Sequence, residues 1–201
     1  MRLYTAMFIF MFFAISAHGQ QRPVAILNTV DDERDGKKYK TVKIGSQIWM
    51  AENLNYEASD SKCYDNKPEN CAKYGRLYNW QTANTACPKG WHLPSKAEWA
   101  ALTSAVGGAK TEGLKLKAKS GWKSNGNGTD DFGFSALPGG YGYSDGSFNV
   151  VGGYSSWWSA NEYDSDGAYA RYIGYNGEIA YWAYSNKTRL ISVRCIKSSE
   201  P

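Results

Sequence analysis

Four cysteines restrict what this chain can fold into more than any other feature of the sequence: Cys63, Cys71, Cys87 and Cys195. They all follow an N-terminal segment typical of exported proteins, and an even number of cysteines in an exported protein predicts two disulfides. Four cysteines allow three pairings. We favour Cys63–Cys71, which closes a small polar loop, and Cys87–Cys195, which ties the middle of the chain to its end. Zinc is the weaker interpretation, because the spacings match no zinc pattern and His92 is the only histidine after residue 19.

The N-terminal segment, residues 1–19, has the pattern of a secretory signal peptide. Arg2 supplies its positive charge, residues 6–15 are apolar, and Ala17-His18-Gly19 fits a cleavage site before Gln20. The apolar stretch is too short to span a bilayer comfortably, although an uncleaved anchor is the alternative. No membrane-spanning run follows it, so we expect a secreted or cell-surface protein with no membrane span after signal cleavage.

Composition favours one domain built from strands and ordered loops. The chain has 201 residues, 42% of them hydrophobic, with 8 Trp, 15 Tyr and 21 Gly. This mixture indicates an α+β domain rather than a helix bundle. A net charge of +4, spread along the chain, is not the footprint of a nucleic-acid-binding protein. We predict a leader at residues 20–30, one domain at 31–197 and a tail at 198–201.

Local signals predict two short helices and a set of strands. One helix is expected at residues 77–86, and Ser95 with Glu98 forms a capping box that begins a second, which Gly107-Gly108 ends. Gly45-Ser46 fits a type II′ turn between strands 39–44 and 47–50. A closing strand is expected at residues 190–196.

The strongest hairpin signal is Asn176-Gly177, which predicts paired strands at 168–175 and 178–184. One face of this hairpin carries Tyr169, Arg171, Tyr175, Trp182 and Tyr184. The other carries Ala168, Ala170, Tyr172, Ile179, Tyr181 and Ala183. We expect the first face to be exposed, because it is larger and includes an arginine, and to bind a ligand through its rings. The alternative is that the preceding glycine-rich loops bury these rings.

Signals for catalysis are sparse. His92 is the only histidine after residue 19, and the sequence has no Gly-x-Ser-x-Gly nucleophile elbow that it could serve as a base. A structural role is therefore expected for His92. No spacing selects a pair from the candidate carboxylates for glycoside hydrolysis. These candidates are Asp130, Asp131, Glu162, Asp164, Asp166 and Glu178.

One structural calcium could take oxygens from Asn125, Asn127, Asp130 and Asp131, or from Glu162, Asp164 and Asp166, with turn chemistry as the alternative. No other cofactor is expected.

Several motifs resemble one known family. They are Ile44-Gly45 through Leu54, Gly75-Arg76-Leu77-Tyr78-Asn79-Trp80, Cys87-Pro88 through Ser95, Asp131 through Gly140, Trp157-Trp158-Ser159 and Val193-Arg194-Cys195. Together they resemble the Fibrobacter succinogenes major paralogous domain over about residues 30–197. The resemblance implies an exported bacterial protein and assigns no activity.

A more distant similarity joins the chain to C-type-lectin-like domains and formylglycine-generating enzymes. It implies two short helices packed on small antiparallel sheets, with long ordered loops, and Cys87–Cys195 as the bridge from first helix to last strand. The lectin calcium motifs are absent, and the enzymes' late pair of redox cysteines is absent too, since only Cys195 lies there.

The sequence therefore predicts a non-catalytic binding module whose partner is a polysaccharide or a cell-surface protein. Two alternatives stay open: a structural or adhesive surface protein that acts by protein–protein contact, and a glycan-active enzyme.

Overall fold

The structure, a computed structural model, describes residues 26–198, with side chains from residue 29 onward. The predicted signal peptide lies outside the described residues. The helices are α1 (Pro68–Tyr74), α2 (Trp80–Ala86), α3 (Lys96–Ala105) and α4 (Ala109–Leu116). The strands are β1 (Ile26–Asp32), β2 (Lys37–Ile44), β3 (Gln47–Met50), β4 (Leu77–Tyr78), β5 (Trp91–His92), β6 (Tyr141–Gly142), β7 (Phe148–Asn149), β8 (Tyr154–Glu162), β9 (Gly167–Gly174), β10 (Ala180–Asn186), β11 (Ile191–Ser192) and β12 (Ile196–Lys197).

These strands form two mainly antiparallel five-stranded sheets and one small ribbon. The first sheet has the order β1-β2-β3-β12-β5, the second has the order β10-β9-β8-β11-β4, and β6 pairs with β7. Among the strands of residues 26–198, β11 and β8 form the one parallel pair. The predicted α+β class is confirmed, as is the β2–β3 hairpin, in which Gly45 takes the positive φ of 62° that a type II′ turn requires.

The C-terminal segment passes from one sheet to the other. Strand β11 lies in the second sheet and β12 in the first, so the single closing strand that we predicted is divided. Between them, the Cys195 carbonyl oxygen accepts a hydrogen bond from Met50 N, and the Val193 carbonyl oxygen accepts one from Leu54 N. The crossing segment therefore extends the edge of β3 before it joins the sheet.

An aromatic core fills the space between the sheets and α3. Trp49 of β3, Trp99 of α3, Phe134 and Trp157 of β8 are almost completely buried, with ring centroids 4.8 to 6.2 Å apart. Burial of such large rings supplies much of the hydrophobic stabilisation of a domain of this size.

The predicted helices are present with one changed boundary. Helix α3 begins after Ser95 with the capping box that the sequence predicts. Helix α2 begins at Trp80, three residues later than expected, because Leu77–Tyr78 is strand β4 and the Asn79 side chain caps the helix. Two helices escaped prediction: α1, which begins inside the small disulfide loop and continues beyond Cys71, and α4, which follows Gly107-Gly108.

The predicted leader needs a second correction. Its last residues, 26–30, belong to β1, which pairs with β2 and adds an edge strand to the first sheet. The charged turn at residues 33–36 is thus the connection of a hairpin, whose register pairs Asp32 with Lys37.

Both predicted disulfides are confirmed: Cys63–Cys71 and Cys87–Cys195. The first brackets the start of α1. The second joins the end of α2 to the segment that crosses between the sheets. Two disulfides are consistent with an extracellular protein. Among residues 26–198, no helix has the length and apolar character needed to cross a membrane.

The two disulfides should differ in their contribution to stability, since the loops they close differ in length. Replacing Cys87 and Cys195 with Ser should lower the free energy of unfolding by about 4–5 kcal/mol, and replacing Cys63 and Cys71 by about 2.5 kcal/mol. Urea denaturation of the oxidised variants measures both losses. A larger loss for the Cys63–Cys71 variant would contradict this assignment.

Acid should weaken the N-terminus of α3 through Glu98. Burial raises the pKa of this carboxyl, but hydrogen bonds from Ser95 and His92 outweigh it and bring the pKa below its ordinary value of 4.5. A carboxyl group whose pKa is lower in the folded state stabilises the fold at pH values above its unfolded-state pKa. This stabilisation is lost as the pH falls through the folded-state pKa. The wild type should therefore lose more stability below about pH 4.5 than Glu98→Gln, which keeps a hydrogen-bonding side chain without the charge. Urea denaturation of both proteins at pH 6 and at pH 3 measures the loss of stability between the two pH values. An equal loss in the wild type and in Glu98→Gln would refute this role.

Candidate binding surfaces

The predicted aromatic hairpin forms with the predicted register, but its connection is longer than the predicted two-residue turn. Strand β9 ends at Gly174 and β10 begins at Ala180, and neither Asn176 nor Gly177 has the positive φ that a type I′ turn requires. Strands β9 and β10 pair Tyr172 with Tyr181, Arg171 with Trp182 and Tyr169 with Tyr184. Strand β10 is the outermost strand of its sheet, so its side chains have a neighbouring strand on one side only.

Arg171 is not exposed, and its predicted exposure is wrong. Its side chain is 4% exposed and forms an ion pair with the carboxylate of Glu112, which is itself fully buried. Arg171 Nη2 also donates to Thr103 Oγ1 at 3.3 Å. The cause is helix α4, which was not predicted and which carries Glu112 to this face of β9. Arg171 is a buried anchor beneath the hairpin, with its guanidinium carbon 5.1 Å from the ring centroid of Trp182.

Tyr175 lies apart from the other predicted rings. It is half-buried at the loop end of the hairpin, where it packs against the aromatic core. The Lys123 ammonium lies 4.4 Å from its ring centroid. Beneath the loop, the buried Lys117 ammonium donates to the carbonyl oxygens of Tyr175 and Gly177 at 3.4 and 3.0 Å.

The three remaining rings, Tyr169, Trp182 and Tyr184, are joined by Tyr163, and we call these four rings the tyrosine surface. Tyr163 and Tyr184 stack with centroids 4.5 Å apart and an interplanar angle of 9°. Tyr169 meets Tyr163 edge-on at 5.4 Å and Trp182 edge-on at 6.2 Å. Tyr184 is 63% exposed and Tyr163 50% exposed. The hairpin therefore presents a connected set of rings with two tyrosines open to solvent.

Two members of this region were missed by sequence reasoning. Tyr163 lies in a polar turn between β8 and β9, where neighbouring Asp residues masked it. Lys96, the first residue of α3, places its ammonium 3.5 Å from the centroid of Tyr169 and 5.6 Å from that of Trp182. Its backbone N–H donates to Asn161 Oδ1 at 2.7 Å, which joins α3 to the end of β8. Cation–π contacts of this kind fix the orientation of the inner rings.

The opposite face of the hairpin is mainly covered. Ala168, Ala170 and Tyr172 are buried, while Tyr181 is 43% exposed and stacks on Tyr172 with centroids 5.6 Å apart. Exposed rings on this face are thus limited to β10.

A cleft of about 670 Å³ lies elsewhere in the molecule, between β2, α1 and the loop that follows α4. We call it the basic cleft, because it is lined by Lys37, Lys38, Lys40, Lys73, Lys119 and Arg194. Two carboxylates, Glu52 and Asp130, also line it. No sequence pattern indicated this site, since its cations come from four separate segments.

Arg194 and Asn53 form the floor of the basic cleft. The Asn53 Oδ1 atom accepts hydrogen bonds from Arg194 Nε, Arg194 Nη2 and Trp157 Nε1 at 3.0, 2.7 and 2.8 Å. The Asn53 amide donates to the Tyr74 carbonyl oxygen at 2.9 Å. Gly75 is required beside it, because a Cβ at this positive-φ residue would lie 2.7 Å from Asn53 Cβ. Burial lowers the pKa of Arg194 to about 9.

A second cleft, of about 650 Å³, combines rings with amide side chains. Its lining includes Trp80, Tyr143, Phe148, Asn66, Asn79 and Gln81. Lys187 and Glu162 line it as well and form an ion pair at 3.0 Å. The Lys187 ammonium lies 4.9 Å from the Trp80 ring centroid, so one face of that indole is covered.

His92 is held in a chain of hydrogen bonds. Its Nε2 atom lies 2.7 Å from Glu98 Oε1, and its Nδ1 atom lies 2.9 Å from Ser198 Oγ. The order of groups is that of a serine–histidine–carboxylate triad. However, the Glu98 carboxylate also accepts from Ser95 in the capping box, and the two clefts above are lined by other residues. This arrangement fits the predicted structural role of His92.

The candidate carboxylates mostly bind nearby groups. Asp130 accepts from Ser135 N and Oγ, and Asp164 accepts from the backbone of Asp166 and Gly167. Such bonds are the turn chemistry that was the alternative to calcium. Within residues 29–198, no cluster of three His, Cys, Asp or Glu side chains is placed to hold a metal ion.

The fold and its surfaces describe a disulfide-linked α+β domain with an aromatic hairpin and two clefts. The chain belongs to the Fibrobacter succinogenes major domain family, whose model matches residues 42–197. No curated protein matches the chain, and no solved structure does.

Removing one partner of the buried Arg171–Glu112 pair should be strongly destabilising. Glu112→Ala leaves a guanidinium buried without its carboxylate, and we expect a loss of about 3–5 kcal/mol in the free energy of unfolding. Glu57→Ala is the matched control, because Glu57 pairs with Arg76 but is 76% exposed, and about 0–1 kcal/mol is expected. Similar losses for the two variants in urea denaturation would contradict the anchoring role of Glu112.

Proposed function

We propose that this protein is an exported, non-catalytic binding module that binds a polysaccharide on the tyrosine surface. The observation that carries the proposal is the exposed Tyr163–Tyr184 stack, continuous with the rings of Tyr169 and Trp182. The proposal includes export by the signal peptide predicted at residues 1–19 and a C-type-lectin-like arrangement of the sheets.

The chemistry of the surface suits sugar rings. A tyrosine offers a flat apolar face for the C–H groups of a sugar and a hydroxyl that can exchange hydrogen bonds with sugar hydroxyls. The rings are held before any ligand arrives, by the Lys96 ammonium on one side and by the buried Arg171 beneath Trp182. Preorganised side chains lose little conformational entropy on binding.

An adhesive role through protein–protein contact is the second candidate. Strand β10 is a sheet edge with exposed Ile179, Tyr181 and Tyr184 at or beside it. An open edge of this kind can accept a strand from a second chain.

Binding to polysaccharides tests the first proposal directly. The protein should be retained on at least one of insoluble cellulose, chitin or xylan, and Tyr184→Ala should weaken binding by roughly tenfold or more, because one stacking platform is lost. Tyr163→Ala should act in the same direction. Tyr181→Ala is the matched control: it removes an exposed tyrosine of the same strand from the opposite face and should leave binding unchanged.

Two outcomes would reject the carbohydrate proposal: no retention on any of the three polymers or on a glycan array, or equal effects of Tyr184→Ala and Tyr181→Ala. Concentration-dependent self-association in size-exclusion chromatography, abolished by Tyr184→Ala, would support the adhesive role instead. Thermal denaturation of each variant shows that the fold is retained.

A further inference from the structure

We propose that the basic cleft is a second binding site, which takes an anionic glycan carrying carboxylate or sulfate groups. The cleft shares no lining residue with the tyrosine surface, so this inference does not depend on the function proposed for that surface.

The lining of the basic cleft carries more positive than negative side chains. Six cationic side chains meet two carboxylates around one cleft. Lys37 and Lys38 form ion pairs with Asp35 and Asp31 at 2.6 and 2.8 Å, and neither of these aspartates lines the cleft. Lys40, Lys73 and Lys119 take part in none of the ion pairs found among residues 29–198.

The two carboxylates do not neutralise these lysines. Asp130 accepts hydrogen bonds from Ser135 N and Oγ at 2.8 and 2.7 Å. Glu52 accepts from the backbone N–H of Lys40 at 3.2 Å and is in none of the ion pairs. Unpaired positive charge therefore remains on the cleft wall, where an anionic ligand would complete the pairing.

A buried cation, Arg194, lies in the floor of the cleft. Arg194 is 1% exposed, and its guanidinium donates only to neutral oxygens: Asn53 Oδ1 and the carbonyl oxygens of Met50 and Phe134. A charge in a poorly polarisable interior is weakly screened, so its field extends into the adjoining cleft. An anion in the cleft is thus attracted by a fixed charge below it as well as by the mobile lysines at its rim.

The shape and the kinds of side chain select the class of ligand. A volume of about 670 Å³ is within the usual range for sites that hold small ligands or a few linked sugar units. Because four of the five N–H donors of Arg194 are occupied, no free arginine fork is offered for bidentate phosphate recognition, and lysines act as point charges. The lining rings, Tyr39 and Tyr74, are buried, so the cleft lacks the stacking platforms that single-stranded nucleic acids use.

A charge-matched pair of triple variants tests the proposal. The cleft variant replaces Lys40, Lys73 and Lys119 with Gln. The control variant makes the same replacement at Lys43, Lys89 and Lys110, which are exposed and lie outside the cleft. Both variants lose the same net charge, so a difference between them reports on location.

Calorimetric titration with an oligogalacturonate and with a heparin oligosaccharide measures binding, and cellohexaose serves as the neutral probe. We expect the wild type to bind at least one of the two anionic probes, with affinity that falls as salt is added. The cleft variant should lose about tenfold or more in affinity, and the control variant should change little. The stronger of the two anionic probes distinguishes carboxylated from sulfated ligands. Tyr184→Ala should not alter this binding.

Four results would overturn the proposal. Neither anionic probe binds at low salt; the cleft and control variants lose affinity equally, which would show attraction by net charge alone; or polyglutamate or single-stranded DNA binds as tightly as both glycans, which would remove the glycan class. A binding loss with Tyr184→Ala alone would assign the anionic glycan to the tyrosine surface and likewise overturn this site.

Discussion

The guanidinium of Arg194 and the side-chain amide of Asn53 form a buried hydrogen-bonded node that joins several parts of the chain. Asn53 reaches the indole of Trp157 in the second sheet and the carbonyl of Tyr74 at the end of α1, while Arg194 reaches the carbonyls of Met50 and Phe134. Loss of either side chain would leave buried polar groups without partners, which costs more than the hydrogen bonds themselves gain. The disulfide at the next residue, Cys195, holds the segment that carries Arg194 in place.

A buried guanidinium lies beneath each of the two proposed surfaces. Arg171 lies beneath Trp182 and is compensated by Glu112, whereas Arg194 lies beneath the basic cleft and is bound to neutral oxygens. The difference has a physical consequence. A compensated charge fixes the position of a ring without attracting ions, while an uncompensated one also contributes an electric field. The two proposals accordingly assign neutral sugars to the tyrosine surface and charged ones to the cleft.

Features set by short-range chemistry could be predicted from the sequence. The Ser95–Glu98 capping box and the Gly45 turn depend on residues a few positions apart, and both occur as expected. The β9–β10 register is also as expected, although a connection longer than the Asn176-Gly177 turn joins the two strands. Helices α1 and α4 were missed because each begins without a side-chain cap, α1 within a short disulfide loop and α4 directly after Gly108. The basic cleft left no local signal, since its cations meet only after folding.

The sequence by itself determined the α+β class, the family and the register of the aromatic hairpin, because these follow from residue type and local spacing. It left three cysteine pairings open, and the structure selects the favoured one, in which Cys87 and Cys195 are 108 residues apart. Only the tertiary structure decided which of the hairpin residues face solvent. Arg171 is buried because Glu112, 59 residues earlier in the chain, is carried to it by α4. Tyr163 joins the exposed rings because the β8–β9 turn folds back over β10. Contacts between distant segments are selected by packing and by the pairing of buried charge, and neither is encoded in the pattern of one segment.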